Sequence, residues 1–329
     1  MASVSSVPVG RLAPSPTGAL HLGNARSFLL AWLSVRSRGG RLVLRIEDLD
    51  HPKVKPGAAA AALEDLRWLG LDWDEGPDVG GPHGPYVQTE RRPLYREALG
   101  KLRAAGLAYP CVCSRKDVEE AQSAPHGRDP HSLGYPGTCR GRFADWAEAR
   151  SVLPPERLPV WRFRTEPGKS VFEDAFLGVR RLDLAGELGD FAMARDEDGA
   201  GYQLACTVDD AAMGVTEVVR GDDLVDATHC QLAIYRALGL PPPVFCHVPL
   251  VVAEDGHRLA KRHGDTRICA LRAAGLPPER IIGLLAWWSG LAPYGADATP
   301  ASLIPEFSFA RVPKSPAVLD ARAKAMIGM

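Results

Sequence analysis

Two short stretches carry the side chains and backbone freedom needed to handle a polyphosphate. In the first, Pro14-Ser15-Pro16-Thr17-Gly18 makes a tight loop, and His21, Gly23 and Asn24 follow where a helix is predicted to begin. Glycines let backbone approach a ligand, and the first N–H groups of a helix, at the positive end of its dipole, favour an anion. The second is the basic turn Arg258-Leu259-Ala260-Lys261-Arg262. A carboxylate attacking an α-phosphate builds up negative charge that positioned cations stabilise, and Lys261 is the candidate for that role. Alone, a histidine at a helix start reads as structural and a basic pentapeptide as a solvated turn. Paired at this separation, they read as one nucleotide site.

A second set suits an amino acid with an extra carboxylate. Such a ligand needs cations for its acid groups, best supplied by the bidentate fork of arginine, and a carboxylate for its ammonium group. Arg11, Glu47, Tyr202 and Arg220 fall at or near predicted strand termini, where an open α/β sheet collects its ligands. Singly, each reads as a surface ion pair or a capped turn residue; jointly they read as a binding set. Asp209-Asp210 could touch the ammonium group or cap the next turn, with capping the preferred reading, and Asp222 and Asp223 read as caps before their helix.

The third set is cysteine-based. Cys111, Cys113 and Cys139, with Tyr135, put three thiols and a phenol in a segment poor in core residues, where a tetrahedral ion would supply the missing cross-link. One structural zinc is expected. His126 and His131 lie in the same stretch, and either could replace Tyr135, because imidazole is the more usual zinc ligand. Cys206, Cys230, Cys246 and Cys269 are scattered and read as small buried hydrophobes.

The elements that must position these groups follow from periodicity and breakers. Val7 to Ala13 reads as a strand, a helix runs from Leu22 to Arg38 and stops at Gly39-Gly40, and Arg41 to Glu47 reads as a second strand. Strand, loop, helix and strand open a parallel βαβ unit and predict a Rossmann-like, doubly wound α/β sheet. Helices from Pro56 to about Gly70 and from Glu90 to Gly106 precede a strand at Leu107 to Cys111. Ser114 to about Pro159, rich in proline, glycine, histidine and charge, reads as an insertion. Regular structure resumes at Tyr202 to Val208 and Val215 to Arg220, followed by a helix from Asp223 to Leu238 and an apolar run at Val244 to Val252. The expected organisation is a first half-domain over 1–110, an inserted metal-binding subdomain over 111–185, a second half-domain over 186–265 and a short C-terminal segment over 266–329. The proline-spaced elements of that last segment have no readable fold.

Composition excludes several classes. The 329 residues are 46% hydrophobic and 24% charged, as in ordinary globular proteins, and a net charge of -1 leaves any nucleic-acid contact to a local patch. Met1 to Val9 has neither the basic start nor the apolar stretch of a secretory signal, and no long apolar run follows. A cytoplasmic monomer without membrane contact is expected.

Against this background, the stretch from Arg11 through Ala31 resembles the HIGH signature of class I aminoacyl-tRNA synthetases as glutamyl enzymes carry it, with Asn24 in place of the last histidine. Arg258 to Arg262 is similar to the KMSKS loop, and the resemblance extends from about Val7 to Thr266. It implies an ATP site formed by Pro14, Thr17, Gly18, His21, Gly23, Asn24, Arg258, Leu259 and Lys261, with Mg2+ held through the ATP phosphates and with His21 and Lys261 catalytic. The chain departs from the pattern at Arg258, which replaces a lysine, and at Ala260, which replaces a serine and loses its hydroxyl.

Arg11, Ser15, Glu47, Tyr202 and Arg220 resemble the glutamate-binding positions of the glutamyl-tRNA synthetase family. The resemblance implies that Glu47 holds the α-amino group and the others the side-chain carboxylate region. The cysteine cluster is similar to the zinc motif of glutamyl-Q tRNA(Asp) synthetases, with Tyr135 as fourth ligand, although the stretch from Cys113 to Tyr135 is longer here. The segment after Arg262 is too short for the anticodon-binding region of full glutamyl-tRNA synthetases. The resemblance therefore implies tRNA-independent glutamyl-adenylate formation and transfer of glutamate to the queuosine base of tRNA(Asp). Arg140, Arg142 or other cations of the insertion could contact the base, and the residues do not single one out. The other readings are a shortened glutamyl-tRNA synthetase charging the acceptor end, a small nucleotidylyltransferase, and a non-catalytic tRNA-binding paralogue.

Overall fold

In chain order the first half contains β1 (Val9–Leu12), α1 (Leu22–Arg36), β2 (Arg41–Leu44), α2 (Ala58–Trp68), α3 (Arg92–Ala104), β3 (Ala108–Cys111) and α4 (Trp146–Ser151). Then come β4 (Val160–Phe163), β5 (Lys169–Asp174), β6 (Gly178–Asp183), β7 (Ala192–Ala194), α5 (Tyr202–Ala212), β8 (Glu217–Gly221), α6 (Val225–Leu238), β9 (Val244–Val248) and β10 (Val251–Ala253). The chain closes with α7 (Ile268–Ala273), α8 (Pro278–Trp288), α9 (Pro300–Leu303), β11 (Ala317–Leu319) and α10 (Ala321–Met326). This computed structural model describes residues 7–49, 53–114, 116–118, 134–135, 137–198, 201–257, 259 and 265–329.

β1 and β2 pair in parallel around α1, with Val9 opposite Arg41 and Leu12 opposite Leu44. β8 and β9 form a second parallel pair around α6. The two pairs abut, since Thr216 N donates to Val9 O at 2.8 Å and gives the order β2-β1-β8-β9. Successive strand residues point to opposite faces. Leu42, Leu44, Val219, Cys246 and Val248 enter one core with α1 and α8, while Val43, Val218 and Phe245 enter another with Met213 and Tyr235. Both faces are thus covered by helices, the architecture expected of a parallel sheet. At Gly10, where α1 crosses closest, an added Cβ would lie 2.4 Å from Val35 Cγ2, so only glycine allows this approach.

A separate antiparallel sheet has the order β3-β4-β7, with Cys111 opposite Val160 at its edge. Trp146 of α4 stacks on Trp161 at 5.3 Å beneath it. The β5–β6 hairpin reaches back to the parallel sheet, where Ala175 N donates to Phe245 O at 2.9 Å. α4 lies inside the stretch expected to lack periodicity and is capped by Asp145, whose side chain accepts from Glu148 N.

Two expectations are corrected. Tyr202 does not end a strand; it opens α5, and Leu204, Ala205 and Val208 pack its buried face into the core shared with α3 and α6. Thr207 and Val208 favour extended chain by themselves, but helical burial decides. The C-terminal segment, unreadable in sequence, belongs to the principal core. β11 pairs in parallel with β10, and Leu303, Val312, Leu319 and Ile327 are buried against α1 and α8. Among the described residues no helix is long and apolar enough to cross a membrane.

Candidate functional site

The carboxyl ends of β1, β2 and β8 open onto a cavity of about 490 Å3. Its wall brings together Arg11, Ser15, His21, Gly23, Asn24, Glu47, Tyr202, Arg220 and Leu259. Thr17 lines a neighbouring cavity of about 430 Å3 that shares Ser15, Glu47 and Tyr202 with the first. Pro14 and Gly18 lie in the connecting loop without lining the main cavity; Pro14 O accepts from Glu47 N at 3.0 Å and so ties the loop to the end of β2. Arg258 and Lys261 lie outside the described residues, as do Ala260, His126 and His131. The chain just after that turn lies against the first loop, with Leu22 N donating to Thr266 O at 3.0 Å and Ile268 N to Leu20 O at 2.8 Å.

His21 is the N-cap of α1, and its Nδ1 accepts from Gly23 N at 3.2 Å. An accepting Nδ1 fixes a neutral ring whose proton sits on Nε2. A Cβ on Gly23 would stand 3.1 Å from the His21 ring, which accounts for the glycine.

Arg220, at 5% exposure, is clamped from several sides. Its Nε donates to His247 Nε2 at 3.1 Å, its Nη2 to Thr228 Oγ1 at 2.7 Å and Gln231 Oε1 at 2.9 Å, and its Nη1 to Tyr202 Oη at 3.4 Å. Among the described residues no carboxylate lies within ion-pair distance of it. A buried cation held only by neutral acceptors lacks a counter-charge, and an anion in the cavity supplies one. Tyr202 is 39% exposed at the cavity rim, where its hydroxyl is open to a ligand.

Glu47 lines the same cavity. Its Oε1 accepts from Arg45 Nη2 at 2.9 Å and from Cys206 Sγ at 3.3 Å. Arg45 is fully buried and also donates from Nη1 to Asp210 Oδ1 at 2.8 Å. Burial works against its charge, but Asp210, Glu47 and Asp209 outweigh it and raise its pKa.

Asp209 and Asp210 are therefore not turn caps. Asp209 is fully buried and accepts from Gln88 Nε2 at 2.9 Å, Arg91 Nε at 2.6 Å and the Tyr95 hydroxyl at 2.8 Å. Asp210 serves Arg45 and lies 4.0 Å from Arg11 Nε. Asp222 and Asp223 do not cap α6 either; its N-cap is Leu224, without a side-chain bond, and Asp223 lines the cavity.

The sequence reading missed Arg45, Asp174, Thr228, Gln231 and His247. Arg45 stands two residues before Glu47, the spacing that puts both on one side of extended chain just beyond β2, a signal that was legible. His247 in the apolar run was another, since a buried imidazole needs partners.

At the edge of the antiparallel sheet, the sulfurs of Cys111, Cys113 and Cys139 lie within 4.8 Å of one another. Tyr135 Oη joins them, 3.3 Å from Cys111 Sγ and 3.6 Å from Cys113 Sγ, while Cys113 and Cys139 are 3.6 Å apart. Such a set could hold a metal ion. Hydrogen bonding within the cluster, first from Cys111, lowers the pKa of Cys139, so that one thiol is primed as thiolate. Arg140 binds Asp190 through Nη2 and Nε at 2.5 and 2.6 Å, and Asp190 is itself buried. Arg142 stacks on Phe143 at 5.1 Å. Of the scattered cysteines, Cys206, Cys230 and Cys246 are buried and Cys269 is partly so.

Residues 8–297 match the family model described as tRNA synthetases class I (E and Q), catalytic domain. The chain is 50% identical to a glutamyl-Q tRNA(Asp) synthetase of Symbiobacterium thermophilum over 97% of its own length and 98% of that protein. It is 46% identical to one of Nitratidesulfovibrio vulgaris, over 95% of each. A glutamate–tRNA ligase of Heliobacterium modesticaldum is 42% identical over 94% of this chain and 62% of the relative. A solved glutamate tRNA ligase of Elizabethkingia meningosepticum in complex with its amino acid superposes with a TM-score of 0.80 at 27% identity, over 98% of this chain and 69% of that one.

Proposed function

The chain belongs to the class I tRNA synthetases of the glutamyl and glutaminyl kind, and on that premise we propose that it activates L-glutamate with ATP and passes the glutamyl group to the queuosine base of tRNA(Asp). The observation that carries the first step is the buried Arg220 cation, which has neutral partners and lines a cavity that Glu47 also lines. A free amino acid with a side-chain carboxylate fits both charges. Glutamine would leave Arg220 without an anion, and a site built for a charge rejects the neutral analogue strongly.

In the activation step, one oxygen of the glutamate α-carboxylate attacks the α-phosphorus of ATP. The bond between the α-phosphorus and the oxygen bridging to the β-phosphate breaks, and pyrophosphate leaves with that oxygen; Mg2+ brought with ATP would offset the phosphate charge. His21, with a donor Nε2 at the start of α1, and Lys261 meet the phosphate charge, and Pro14, Thr17, Gly18, Gly23, Asn24, Arg258 and Leu259 complete the nucleotide site. Glu47 takes the α-ammonium group, while Arg220, Tyr202, Arg11 and Ser15 surround the side-chain carboxylate. Attack by a hydroxyl of the acceptor on the activated carbonyl then releases AMP.

The acceptor assignment rests on the glutamyl-Q relatives, which match over nearly their whole length at higher identity than the glutamate–tRNA ligase. The cluster of Cys111, Cys113, Cys139 and Tyr135 is assigned to structural zinc. Zinc–sulfur bonds of about 2.3 Å in a tetrahedron make sulfur–sulfur edges of about 3.8 Å, close to the 3.6 Å between Cys113 and Cys139. The domain organisation proposed is two catalytic half-domains, over 1–110 and 186–265, around a zinc-binding insertion, in a cytoplasmic monomer.

Labelled glutamate and ATP, offered with queuosine-containing tRNA(Asp), unmodified tRNA(Asp) and tRNA(Glu), test the acceptor. Label is expected on the first alone. Charging of tRNA(Glu) at its 3′ end would instead make the protein a shortened glutamyl-tRNA synthetase.

A further inference from the structure

Arg220 owes its setting to a buried chain of groups that enters from another part of the fold. Asp174, at the end of β5, is 2% exposed. Its Oδ2 lies 2.6 Å from His247 Nδ1, and its carboxylate also accepts from the backbone N of Phe176 at 3.0 Å, Leu177 at 2.8 Å and His247 at 3.1 Å. An acceptor at that distance places the His247 proton on Nδ1 and leaves Nε2 with a lone pair. That lone pair is what Arg220 Nε meets at 3.1 Å.

Thr228 Oγ1 lies 3.0 Å from the same Nε2 and 2.7 Å from Arg220 Nη2, so it touches both members of the pair. The face of the guanidinium lies over the Phe245 ring at 5.3 Å. With Nε committed to His247 and Nη2 to Thr228 and Gln231, only Nη1 is left beside Tyr202 to address a ligand. Burial first, and the neighbouring Arg220 charge, keep the His247 pKa below its ordinary value. The ring thus stays a neutral acceptor and adds no second positive charge.

We infer that His247, held in one tautomer by Asp174, is a positioning residue that aims Arg220 Nη1 into the cavity and thereby sets affinity for the side-chain carboxylate of the amino acid. This deepens the glutamate reading and rests on it. Replacing Asp174 by asparagine lets an amide donate to Nδ1, which moves the ring proton to Nε2 and sets N–H against N–H at Arg220. A leucine at position 247 removes the acceptor altogether, whereas the Oε1 of a glutamine can reach the place of Nε2.

Glutamate-dependent ATP–pyrophosphate exchange by the wild type, Asp174→Asn, His247→Leu and His247→Gln is the test. Losing a hydrogen bond to a buried charge is expected to raise KM for glutamate roughly ten- to hundredfold in Asp174→Asn and His247→Leu. In the same variants, kcat and KM for ATP should stay within about threefold of wild type, and His247→Gln should recover most of the affinity. Unchanged KM for glutamate, or a fall in kcat alone, in variants that exchange would overturn the positioning role while leaving glutamate activation standing. A wild type that exchanges with no amino acid would overturn both. If the variants fail to fold, the 15N spectrum of the wild-type imidazole decides: Nδ1 protonated with Nε2 bare is expected, and the opposite tautomer refutes the inference.

Discussion

Arg45 Nη2 donates to Glu47 Oε1 at 2.9 Å, joining a fully buried cation to the carboxylate that faces the cavity from the same strand end. Arg45 is in turn shared with Asp210 and lies 3.7 Å from Asp209. Glu47 therefore stands on a fixed base, held by a cation and carboxylates that do not themselves line the cavity.

Glu47→Gln should weaken glutamate binding by about 2 kcal/mol, roughly thirtyfold, because the ammonium loses an anionic acceptor. Glutarate, which has both carboxylates and no amine, should bind the wild type and the variant alike. Calorimetric titration of both ligands checks this; equal glutamate affinity in the two proteins would remove Glu47 from the amine site.

The acid limb of stability should depend on Asp190. Burial raises its pKa, but bonds from Arg140, Tyr109 and Thr165 outweigh burial and hold it below the ordinary value of 3.8. On acidification the unfolded chain takes up this proton first. The stabilisation is thus complete above the unfolded value and is lost as pH falls through the folded one. Asp190→Asn should lower stability near neutral pH and flatten its decline below about pH 4, as followed by urea unfolding at a series of pH values. An unchanged acid limb would show that Asp190 does not govern it.

Metal removal should act on stability before chemistry. Atomic emission should find one zinc per chain in the wild type and none in Cys139→Ser. A chelator should lower Tm while leaving the exchange rate at saturating substrates largely intact. Loss of exchange in step with zinc and without a change in Tm would mean that the ion serves the reaction directly.

Legibility followed periodicity and spacing. The βαβ opening and the convergence of Arg11, Glu47 and Arg220 on one cavity were readable, because breakers and polar residues at strand ends are local signals, whereas Tyr202 reaches the same cavity from a helix start. The helix at Tyr202 was not, since β-branched Thr207 and Val208 imitate a strand until tertiary packing decides. The roles of Asp209 and Asp210 stayed hidden because their partners, Arg45, Gln88, Arg91 and Tyr95, lie more than a hundred positions away. The same holds for Asp174, which reaches His247 from the β5–β6 hairpin. The C-terminal segment resisted because, apart from α8, its elements are only three to six residues long, and they acquire meaning by packing on α1 and β10.

The most direct test of the central claim is ATP–pyrophosphate exchange without tRNA, run with L-glutamate, L-glutamine and L-aspartate on the wild type and on Arg220→Ala. Exchange with glutamate alone, lost in Arg220→Ala, is the predicted result. Exchange with glutamine at a comparable rate, or none with glutamate, would contradict it.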